Sequence, residues 1–523
     1  MKKKQMIFGW GALLLLVFSL SAAAAAQAPA KKDILNAARN YRISNEHAIM
    51  QEYFDLLSIP NVSADRVNIR KNAEYIKMMM EKRGIQARVM ETAGNPVVYG
   101  EILVPGAEQT LLFYVHYDGQ PVDPSKWIDT KPFTPILRPG KLMAGGNEPK
   151  PVPIPPDDLS FNVDWRIYAR GVSDDKAPLM AMMAALDGLR QAGISHRNNI
   201  KFILEGEEEA GSTNLGPFLQ KHRDLLKADV LFMCDGPAYY SGDPTIFFGV
   251  RGITSIEITV YGPNTSLHSG HYGNWAPNPG MRLSKLLASM KDDTGRVVID
   301  GFYDTVVPLT EREKDAVRAV PDYEGDIKDN YGFIHTEGGG MTLMEAIQLP
   351  SLNVNGLLSG WVGEQSRTIV PYSAAASIDI RLVKGCDPGY MRQRVIDHVK
   401  KQGYFVISGE PDHQTRMAHP FLARIDNKES GYGAYRTSMD TPVARRLAAA
   451  LRDYYEYNPV FLPTLGGSLP IYLFDDALGI PVIGISIVNH DNNQHQPNEN
   501  LRIGNLWSGI ETFAAVFLME SDR

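Results

Sequence analysis

The stretch LLFYVHYD at residues 111–118 decides the fold class of this chain, because five apolar residues end at His116, a side chain able to bind a metal ion. Open α/β sheets bind ligands at the carboxyl ends of their parallel strands, where the loops converge on one crevice. The repetition of this pattern predicts a single polar site that binds metal. Three further apolar runs lead to such side chains: residues 200–204 to the acidic run 205–209, residues 230–233 to Asp235, and residues 481–488 to His495.

Helical patterns alternate with these strands in the first 245 residues and in the last hundred. Strands that alternate with helices are typical of βαβ units. We therefore expect an α/β fold whose main domain has a doubly wound, mostly parallel sheet. The predicted helices lie at residues 46–58, 70–83, 177–191 and 441–455.

The pattern changes in the middle of the chain. Residues 255–261, SIEITVY, and residues 375–383, AASIDIRLV, alternate apolar with polar side chains, which is typical of antiparallel strands with one exposed face. Amphipathic helices at residues 284–290 and 391–401 would cover the other face. We therefore expect a small inserted α+β domain. The predicted boundaries are residues 31–249 and 419–523 for the two parts of the main domain, and residues 250–418 for the insertion.

The amino-terminal residues 1–26 have the layout of a secretory signal. Three lysines precede an apolar run at residues 6–20, and small residues follow up to residue 30. A membrane anchor is the alternative, but the run is short for a bilayer crossing and is followed by small residues typical of a cleavage site. We expect cleavage near Ala26 and an exported protein, periplasmic or secreted, with no later segment able to span a membrane.

The composition of the 523 residues excludes several classes of protein. A hydrophobic content of 44% and a charged content of 22% are typical of a globular protein too large for one simple core. A net charge of −7 without a basic patch argues against nucleic-acid binding. With only Cys234 and Cys386, a disulfide framework is excluded, although one bridge is left open. The proline-rich residues 150–158, KPVPIPPDD, predict an extended surface insertion whose role stays open.

Two short segments offer a histidine and a carboxylate to a metal. In VHYDGQP, residues 115–121, His116 offers a ring nitrogen, and Asp118 is spaced to hold that ring by a hydrogen bond. In GVSDDKAP, residues 171–178, adjacent carboxylates on an extended backbone face opposite ways, so Asp174 alone is the expected bridging ligand. A cap for the helix that follows is the alternative role of Asp174.

The segment EGEEEAGS, residues 205–212, is the stronger signal. Consecutive carboxylates repel one another unless a cation or a shared proton offsets their charge. One of them can bind metal while its neighbour takes a proton from water that the cation acidifies. Asp235 and His495 add ligands of the kind that zinc accepts. A solvated acidic turn is the alternative interpretation.

These motifs resemble those of the dinuclear zinc exopeptidase family that includes carnosinase, bacterial glutamate carboxypeptidase, succinyl-diaminopimelate desuccinylase and aminoacylase. The resemblance runs from about residue 46 to near the carboxyl terminus. Carnosinase-like members carry HxDVQP, GxxDDKGP, EGxEESGS and HxxNE, where this chain has VHYDGQP, GVSDDKAP, EGEEEAGS and HQPNE. The chain is therefore most similar to the carnosinase-like dipeptidases.

The resemblance implies a site with two divalent metal ions, zinc in the first place, with manganese or cobalt as alternatives. Glu208 would be the general base, Asp118 would orient a histidine ligand, and the bond between residues 174 and 175 would be cis. The ligands would form two sets: His116, Asp174 and Asp235 for one ion, and Asp174, Glu209 and His495 for the other.

The resemblance also makes the inserted domain a lid that carries substrate-binding residues. His268, in SLHSGHYG at residues 266–273, would stabilise the charge of the reaction intermediate, often in a partner's active site, so a homodimer is expected. An ordinary turn histidine is the alternative. Arg381 would grip a substrate carboxylate, with a surface ion pair as its alternative role. The backbone at Gly467 and Ser468 would approach the same carboxylate.

Together these implications predict an exported metal-dependent hydrolase of the dipeptidase or carboxypeptidase type. It would cleave an amide near a free carboxylate in short peptides, through a water that bridges two zinc ions. An N-acyl amino acid deacylase of the same family is the close alternative. The similarity of the motifs to those of carnosinase-like members favours peptides as substrates. A non-catalytic binding protein on this fold would be expected to lose a ligand or Glu208, and none is missing. A related single-domain aminopeptidase would lack the insertion with its histidine.

Overall fold

The computed structural model describes residues 31–142, 149–426, 431–454 and 459–521. The predicted signal at residues 1–26 lies outside these ranges, so export stays a prediction. Within the described ranges, no helix combines the length and the apolar character needed to cross a membrane.

Strands and helices alternate through most of the chain. The strands are, in chain order, β1 (Gln86–Met90), β2 (Val97–Ile102), β3 (Thr110–His116), β4 (Ile136–Arg138), β5 (Arg166–Tyr168), β6 (Asn199–Glu205), β7 (Val230–Met233), β8 (Thr245–Phe247), β9 (Gly249–Val250), β10 (Gly252–Tyr261), β11 (Leu267–His268), β12 (Ser351–Leu358), β13 (Ile369–Val370), β14 (Ser373–Leu382), β15 (Phe405–Ile407), β16 (Leu422–Asp426), β17 (Tyr435–Arg436), β18 (Val460–Leu462), β19 (Val482–Ser486) and β20 (Asn500–Arg502). The helices are α1 (Lys31–Leu57), α2 (Arg66–Glu81), α3 (Lys176–Gln191), α4 (Leu215–Lys221), α5 (Ser269–Tyr272), α6 (Pro279–Ala288), α7 (Glu311–Arg318), α8 (Glu324–Tyr331), α9 (Leu343–Ala346), α10 (Pro388–Lys401), α11 (His413–Ala418), α12 (Pro442–Tyr454), α13 (Ile471–Leu478) and α14 (Ile503–Phe517).

The main domain is built on one sheet with the strand order β1-β2-β6-β3-β7-β19-β8-β18. Its centre, from β6 through β3 and β7 to β19, is parallel. The edges include antiparallel pairs, because β2 runs antiparallel to both β1 and β6, and β8 runs antiparallel to β19. The predicted α/β fold with a mostly parallel sheet is confirmed, with these antiparallel pairs as an addition.

Helices cover both faces of this sheet, which explains why its central strands are apolar throughout. Along β3, Leu111 and Phe113 pack in one hydrophobic cluster with α1, α3 and α14. Leu112 and Tyr114 point to the opposite face and pack in a second cluster with α4 and α13. Both faces of β3 are therefore buried under helices.

The insertion contains a second sheet with the strand order β12-β14-β10-β16-β15. The two alternating segments of the sequence become β10 and β14, which pair antiparallel along their full length. Helices α6 and α10 cover one face, as the amphipathic patterns predict. Strand β16 pairs with β10, so the small sheet continues past the predicted boundary at residue 418.

Part of the insertion packs against the main domain. Val317 of α7 and Met344 of α9 belong to the hydrophobic cluster on the face of the large sheet that α4 and α13 cover. Arg436, on the returning segment, lies 3.4 Å from Glu313 of α7 in a buried ion pair. Helices α7 and α9, which lie between β11 and β12 in the sequence, therefore connect the insertion to the main domain.

The two segments that cross between the domains pair with each other. Strand β9 pairs with β17, and Ile253 and Tyr432 exchange two backbone hydrogen bonds of 3.1 and 3.0 Å. The approach requires glycine at Gly431, which has a φ of +103° and whose Cβ would lie 2.0 Å from the Ile253 carbonyl oxygen. The two crossing segments, residues 249–253 and 431–436, thus form a narrow two-stranded ribbon.

Two smaller expectations can be compared with the structure. Cys234 and Cys386 are both free and buried, so the bridge that the sequence left open is not formed. The proline-rich residues 150–158 are largely exposed, as predicted, and lie outside the helices and strands, with Val152 forming an isolated bridge with Leu137.

Candidate metal centre

Two groups of side chains at the carboxyl edge of the large sheet have the arrangement of metal ligands, and they share Asp174. Within each group, one ligand atom from every residue lies within 4.8 Å of the others. The groups are His116, Asp174 and Asp235, and Asp174, Glu209 and His495. The structure therefore brings together all five side chains that the sequence predicts as metal ligands.

The distances identify Asp174 as the centre of the cluster. His116 Nε2 lies 2.9 Å from Asp174 Oδ1 and 3.8 Å from Asp235 Oδ2. On the other side, His495 Nε2 lies 3.1 Å from Asp174 Oδ2 and 3.4 Å from Glu209 Oε2. Each oxygen of the Asp174 carboxylate thus faces a different imidazole, as a bridging ligand requires.

Each ligand stands at the end of an element of the large sheet or in a loop beside it. His116 is the last residue of β3, and Asp235 follows β7 by two residues. Glu209 lies in the short turn Glu208–Ala210 after β6, and Asp174 precedes α3. His495 lies in the loop between β19 and β20 with a φ of +62°, a conformation that is uncommon for a residue with a side chain. The peptide bond between Asp174 and Asp175 is cis.

Asp118 connects His116 with the acidic turn, residues 207–210. The Nδ1 atom of His116 lies 3.2 Å from the Asp118 carbonyl oxygen and 3.4 Å from its Oδ1. The Asp118 carboxylate accepts backbone hydrogen bonds from Glu208 at 3.1 Å and from Glu209 at 3.0 Å. Asp118 is therefore placed to fix the ring of one ligand and the backbone of another.

The ligands perturb one another strongly. Burial, reinforced by the Asp174 carboxylate, raises the pKa of Glu209 to about 7 and that of Asp235 to about 6. Burial would also raise the pKa of Asp174, but the imidazoles of His116 and His495 hold it well below its usual range. Although burial opposes it, hydrogen bonds with neighbouring aspartates raise the pKa of His116, and the contact with Asp174 raises that of His495. A cation bound here would therefore compete with protons for the groups whose pKa is raised.

Glu208 lies beside this cluster. Burial raises the pKa of its carboxyl well above the usual range; His116 opposes this shift, while Asp235 and Glu209 add to it. A carboxyl group next to the ligands, with an affinity for protons raised in this way, is suited to accept and return a proton.

The predicted substrate-binding residues meet where the insertion faces the main domain. Arg381, in β14, donates a hydrogen bond of 2.9 Å from Nη1 to Ser468 Oγ. Gly467 accepts a backbone hydrogen bond of 3.1 Å from Arg251. Arg381 also lies 3.5 Å from Asp379, so the guanidinium bridges the two domains and has a carboxylate neighbour of its own.

His268 is not part of either group of ligands. It lies in β11, exposed, and its Nδ1 accepts a hydrogen bond of 3.0 Å from the Gly270 backbone. Its ring lies 4.8 Å from the ring of His271. Within this chain, His268 therefore has the surroundings of the turn histidine that was its alternative role.

Several residues of the site have no role in the sequence prediction. Gln120 donates a hydrogen bond of 2.7 Å to Glu209 Oε2, and Tyr114 donates one of 2.6 Å to buried Glu205. Tyr432 stacks on Tyr472 at 4.7 Å, in the ribbon near Ser468. Glu499 is fully buried against the Asp174 loop. The sequence signal that could have identified three of them is their position inside the quoted motifs: Gln120, Glu205 and Glu499.

The donor set fits two divalent cations. Each group offers one imidazole nitrogen and carboxylate oxygens, the ligands that zinc accepts, and three protein ligands per ion leave a position for water or substrate. Asp174 Oδ2 is buried and accepts no well-directed hydrogen bond from the described residues. Such an atom is costly unless a cation or a proton completes its surroundings.

Fold and site together define the class of the protein: a metallohydrolase with an inserted lid and an aspartate shared by two ligand groups. The profile of peptidase family M20/M25/M40 matches residues 152–519, and the chain belongs to this family. The resemblance drawn from the motifs is thereby confirmed.

Individual relatives agree with this assignment. The chain is 27% identical over 490 residues to the Cys-Gly metallodipeptidase of Saccharomyces cerevisiae, a match that covers 88% of this chain and 92% of the relative. It is 27% identical over 437 residues to the human Beta-Ala-His dipeptidase, with 81% and 77% covered. An M20 family metallo-carboxypeptidase from Sulfolobus solfataricus has a structure similar to this one, with a TM-score of 0.68, 32% identity, and 90% and 98% of the two chains covered.

Proposed function

We propose that this hydrolase is a dipeptidase that cleaves the amide bond of short peptides close to their free carboxylate. The observation that carries the proposal is the pair of ligand groups joined by Asp174 with Glu208 beside them. The sequence relatives support the choice of substrate, since both are described as dipeptidases.

The proposed cofactors are two divalent metal ions, with zinc favoured by the mixture of imidazole and carboxylate ligands and manganese or cobalt as alternatives. When bound in such a site, divalent cations acidify water and polarise a carbonyl oxygen.

The protein's own groups then have distinct tasks. Glu208 takes the proton of the attacking water and delivers it to the leaving amine, which fits its raised pKa. Asp118 keeps the His116 ring and the acidic turn in place during this transfer. Arg381, together with Ser468, binds the carboxylate of the substrate, because a guanidinium and a hydroxyl can both donate to it.

We also propose a homodimer in which His268 serves the active site of the partner subunit. The dimer is supported by the inserted domain, in which β12 is an edge strand of the small sheet. Leu357 and Leu358 on this strand are 59% and 67% exposed, and Val362 beyond it is 88% exposed. An edge strand with exposed apolar side chains is a ready pairing surface for a second copy.

The remaining parts of the proposal concern location and substrate. Export is supported by the charged, apolar and small-residue order of the first 30 residues. Hydrolysis of N-acyl amino acids is the alternative activity, since these compounds also carry an amide near a carboxylate.

One experiment tests the activity and the cofactor together. The purified protein is assayed for bound metal and then incubated with dipeptides, their carboxyl-amidated forms and N-acyl amino acids, before and after chelation. We expect two metal ions per chain, hydrolysis of dipeptides, loss of activity on chelation and recovery on adding zinc. Activity that persists in fully stripped protein, or turnover of N-acyl amino acids alone, would refute the proposal.

A further inference from the structure

Glu499 is a buried carboxylate whose hydrogen-bond partners all belong to the segment that carries Asp174. Its Oε2 accepts hydrogen bonds from the Gly171 backbone at 2.8 Å and from Arg170 Nη1 at 2.9 Å. Its Oε1 accepts from the backbone of Ser173 at 2.8 Å and of Asp174 at 3.0 Å. The side chain of Glu499 is completely inaccessible to solvent.

This arrangement requires a carboxylate. All four partners are donors, two on each oxygen, so both side-chain atoms must be acceptors. An amide of the same shape would turn an NH₂ group towards two of these donors and leave them unpaired in a buried place. The positive charge of Arg170 offsets part of the cost of the buried negative charge.

Glu499 also belongs to the segment that carries His495. It lies four residues after His495 and directly before β20, which pairs with β5. Arg170 donates a second hydrogen bond of 3.2 Å to the carbonyl oxygen of Gln496, and Ser173 Oγ donates one of 2.8 Å to that of Asn500. The carboxylate is thus the centre of a joint between two distant segments of the chain.

We propose that Glu499 is the positioning residue of the metal centre, which fixes the shared ligand Asp174 at the correct distance from His495. The inference rests on the proposed metal centre, since it concerns how that centre is held together. Because Glu499 accepts the backbone N–H of Asp174 itself, a shift of the joint moves the shared ligand directly. Both ions depend on Asp174, and the ion held with His495 depends on both ends of the joint.

The test is a titration of metal-stripped protein with Co²⁺, followed by the visible absorption of the bound ion. Glu499→Gln should weaken Co²⁺ binding by about 10- to 100-fold, more for the second ion than for the first, and should change the absorption at saturation. Glu511→Gln is the matched control, because Glu511 is also a buried carboxylate with two 2.8 Å hydrogen bonds, from Arg39. The control should bind Co²⁺ within about threefold of the wild type.

Thermal unfolding of the metal-free variants separates positioning from mere stability. If folded Glu499→Gln binds two ions with the affinity and absorption of the wild type, the inference is overturned. If the wild type itself binds no metal, the proposed function fails instead. Should Glu499→Gln not fold, Glu499→Asp keeps the charge but is too short to reach all four donors, and it is expected to bind Co²⁺ about tenfold more weakly. Unchanged affinity in that variant also overturns the inference.

Discussion

At the scale of single residues, the three adjacent glutamates show how the fold separates identical side chains. Glu207 accepts a hydrogen bond of 2.8 Å from Asn214, away from the ligands. Glu209 Oε2 lies 3.4 Å from His495, and the backbone N–H of Glu208 donates a hydrogen bond to Asp118. The three adjacent carboxylates therefore have three different surroundings.

Replacing Glu208 tests the task assigned to it. Glu208→Gln keeps the size of the side chain but removes its ability to accept a proton, so we expect kcat to fall by about 10²- to 10⁴-fold with metal content unchanged. Steady-state assays and metal analysis measure both quantities. Glu207→Gln is the matched control and should keep nearly full activity. A Glu208→Gln enzyme with wild-type kcat would remove the general base from the mechanism.

Replacing Arg381 tests carboxylate recognition. Arg381→Ala removes a guanidinium that already contacts Ser468, and hydrogen bonds to charged groups contribute about 1.5–3 kcal/mol. We therefore expect kcat/KM for dipeptides to fall by about 10- to 100-fold. Carboxyl-amidated dipeptides provide the control, because they lack the charge and should lose much less. Equal losses for both substrates would show that Arg381 does not bind the carboxylate.

That the five candidate ligands lie together could be predicted from the sequence, because each one directly follows an apolar run or lies in a short motif. The position of His268 relative to the site could not, because it depends on neighbours that are remote in sequence or on a second subunit. Glu499 was within a quoted motif, but nothing in HQPNE indicates that its carboxylate faces four donors from residues 170–174. Contacts between distant loops become visible only in the folded chain.

At the scale of elements, long regular patterns were predictable and short edge elements were not. The four predicted helices are present, and the two alternating strands pair as expected. The antiparallel strands β1 and β2 have no sequence signal that distinguishes their direction, because direction is set by the strand beside which they pack. Helices α7 and α9 lie within the insertion but pack on the main domain, since Val317 and Met344 join the hydrophobic cluster of that surface.

The crossing ribbon allows a prediction at this scale. Gly431→Ala would place a methyl group 2.0 Å from the Ile253 carbonyl oxygen at a φ of +103°, so we expect the free energy of unfolding to fall by about 1–3 kcal/mol. Thermal and denaturant unfolding measure the change. Gly433→Ala, two residues away, is the control, because nothing lies within 4 Å of its added Cβ. If both variants are equally stable, the ribbon is not as tight as described.

At the scale of the whole molecule, the charge of the metal centre should make metal binding depend on pH. Glu209, with a pKa raised to about 7, and Asp235, raised to about 6, are protonated at low pH and must lose those protons to bind a cation. Protonation therefore weakens binding below these values. We expect the apparent affinity for Zn²⁺ to be at least about tenfold lower at pH 6 than at pH 8.

Calorimetric titration in buffers of different ionisation enthalpy checks this, because it counts the protons released with each bound ion. We expect release at pH 6 to exceed release at pH 8. Equal affinity and equal proton release at the two pH values would contradict the raised pKa values of the ligand carboxyls.

The proposed dimer leads to the last prediction, which concerns two chains at once. If each active site combines Glu208 of one subunit with His268 of its partner, His268→Ala and Glu208→Gln homodimers are both inactive. A mixed dimer of these variants contains one site with both residues intact and one site with neither. Since random exchange gives mixed dimers in about half of the molecules, the mixture should recover about a quarter of wild-type activity.

The edge strand supplies the control for this experiment. Leu358, 67% exposed on β12, would meet the second copy, so Leu358→Glu should place a charge in the interface and shift the protein towards monomers in sedimentation. Adding Leu358→Glu to both inactive variants should then remove the recovery. If subunit exchange is verified and the mixture stays inactive, His268 acts within its own chain or not at all. If the Leu358→Glu protein that keeps both His268 and Glu208 is monomeric and retains wild-type activity, His268 does not act across subunits, and the proposed shared site is wrong.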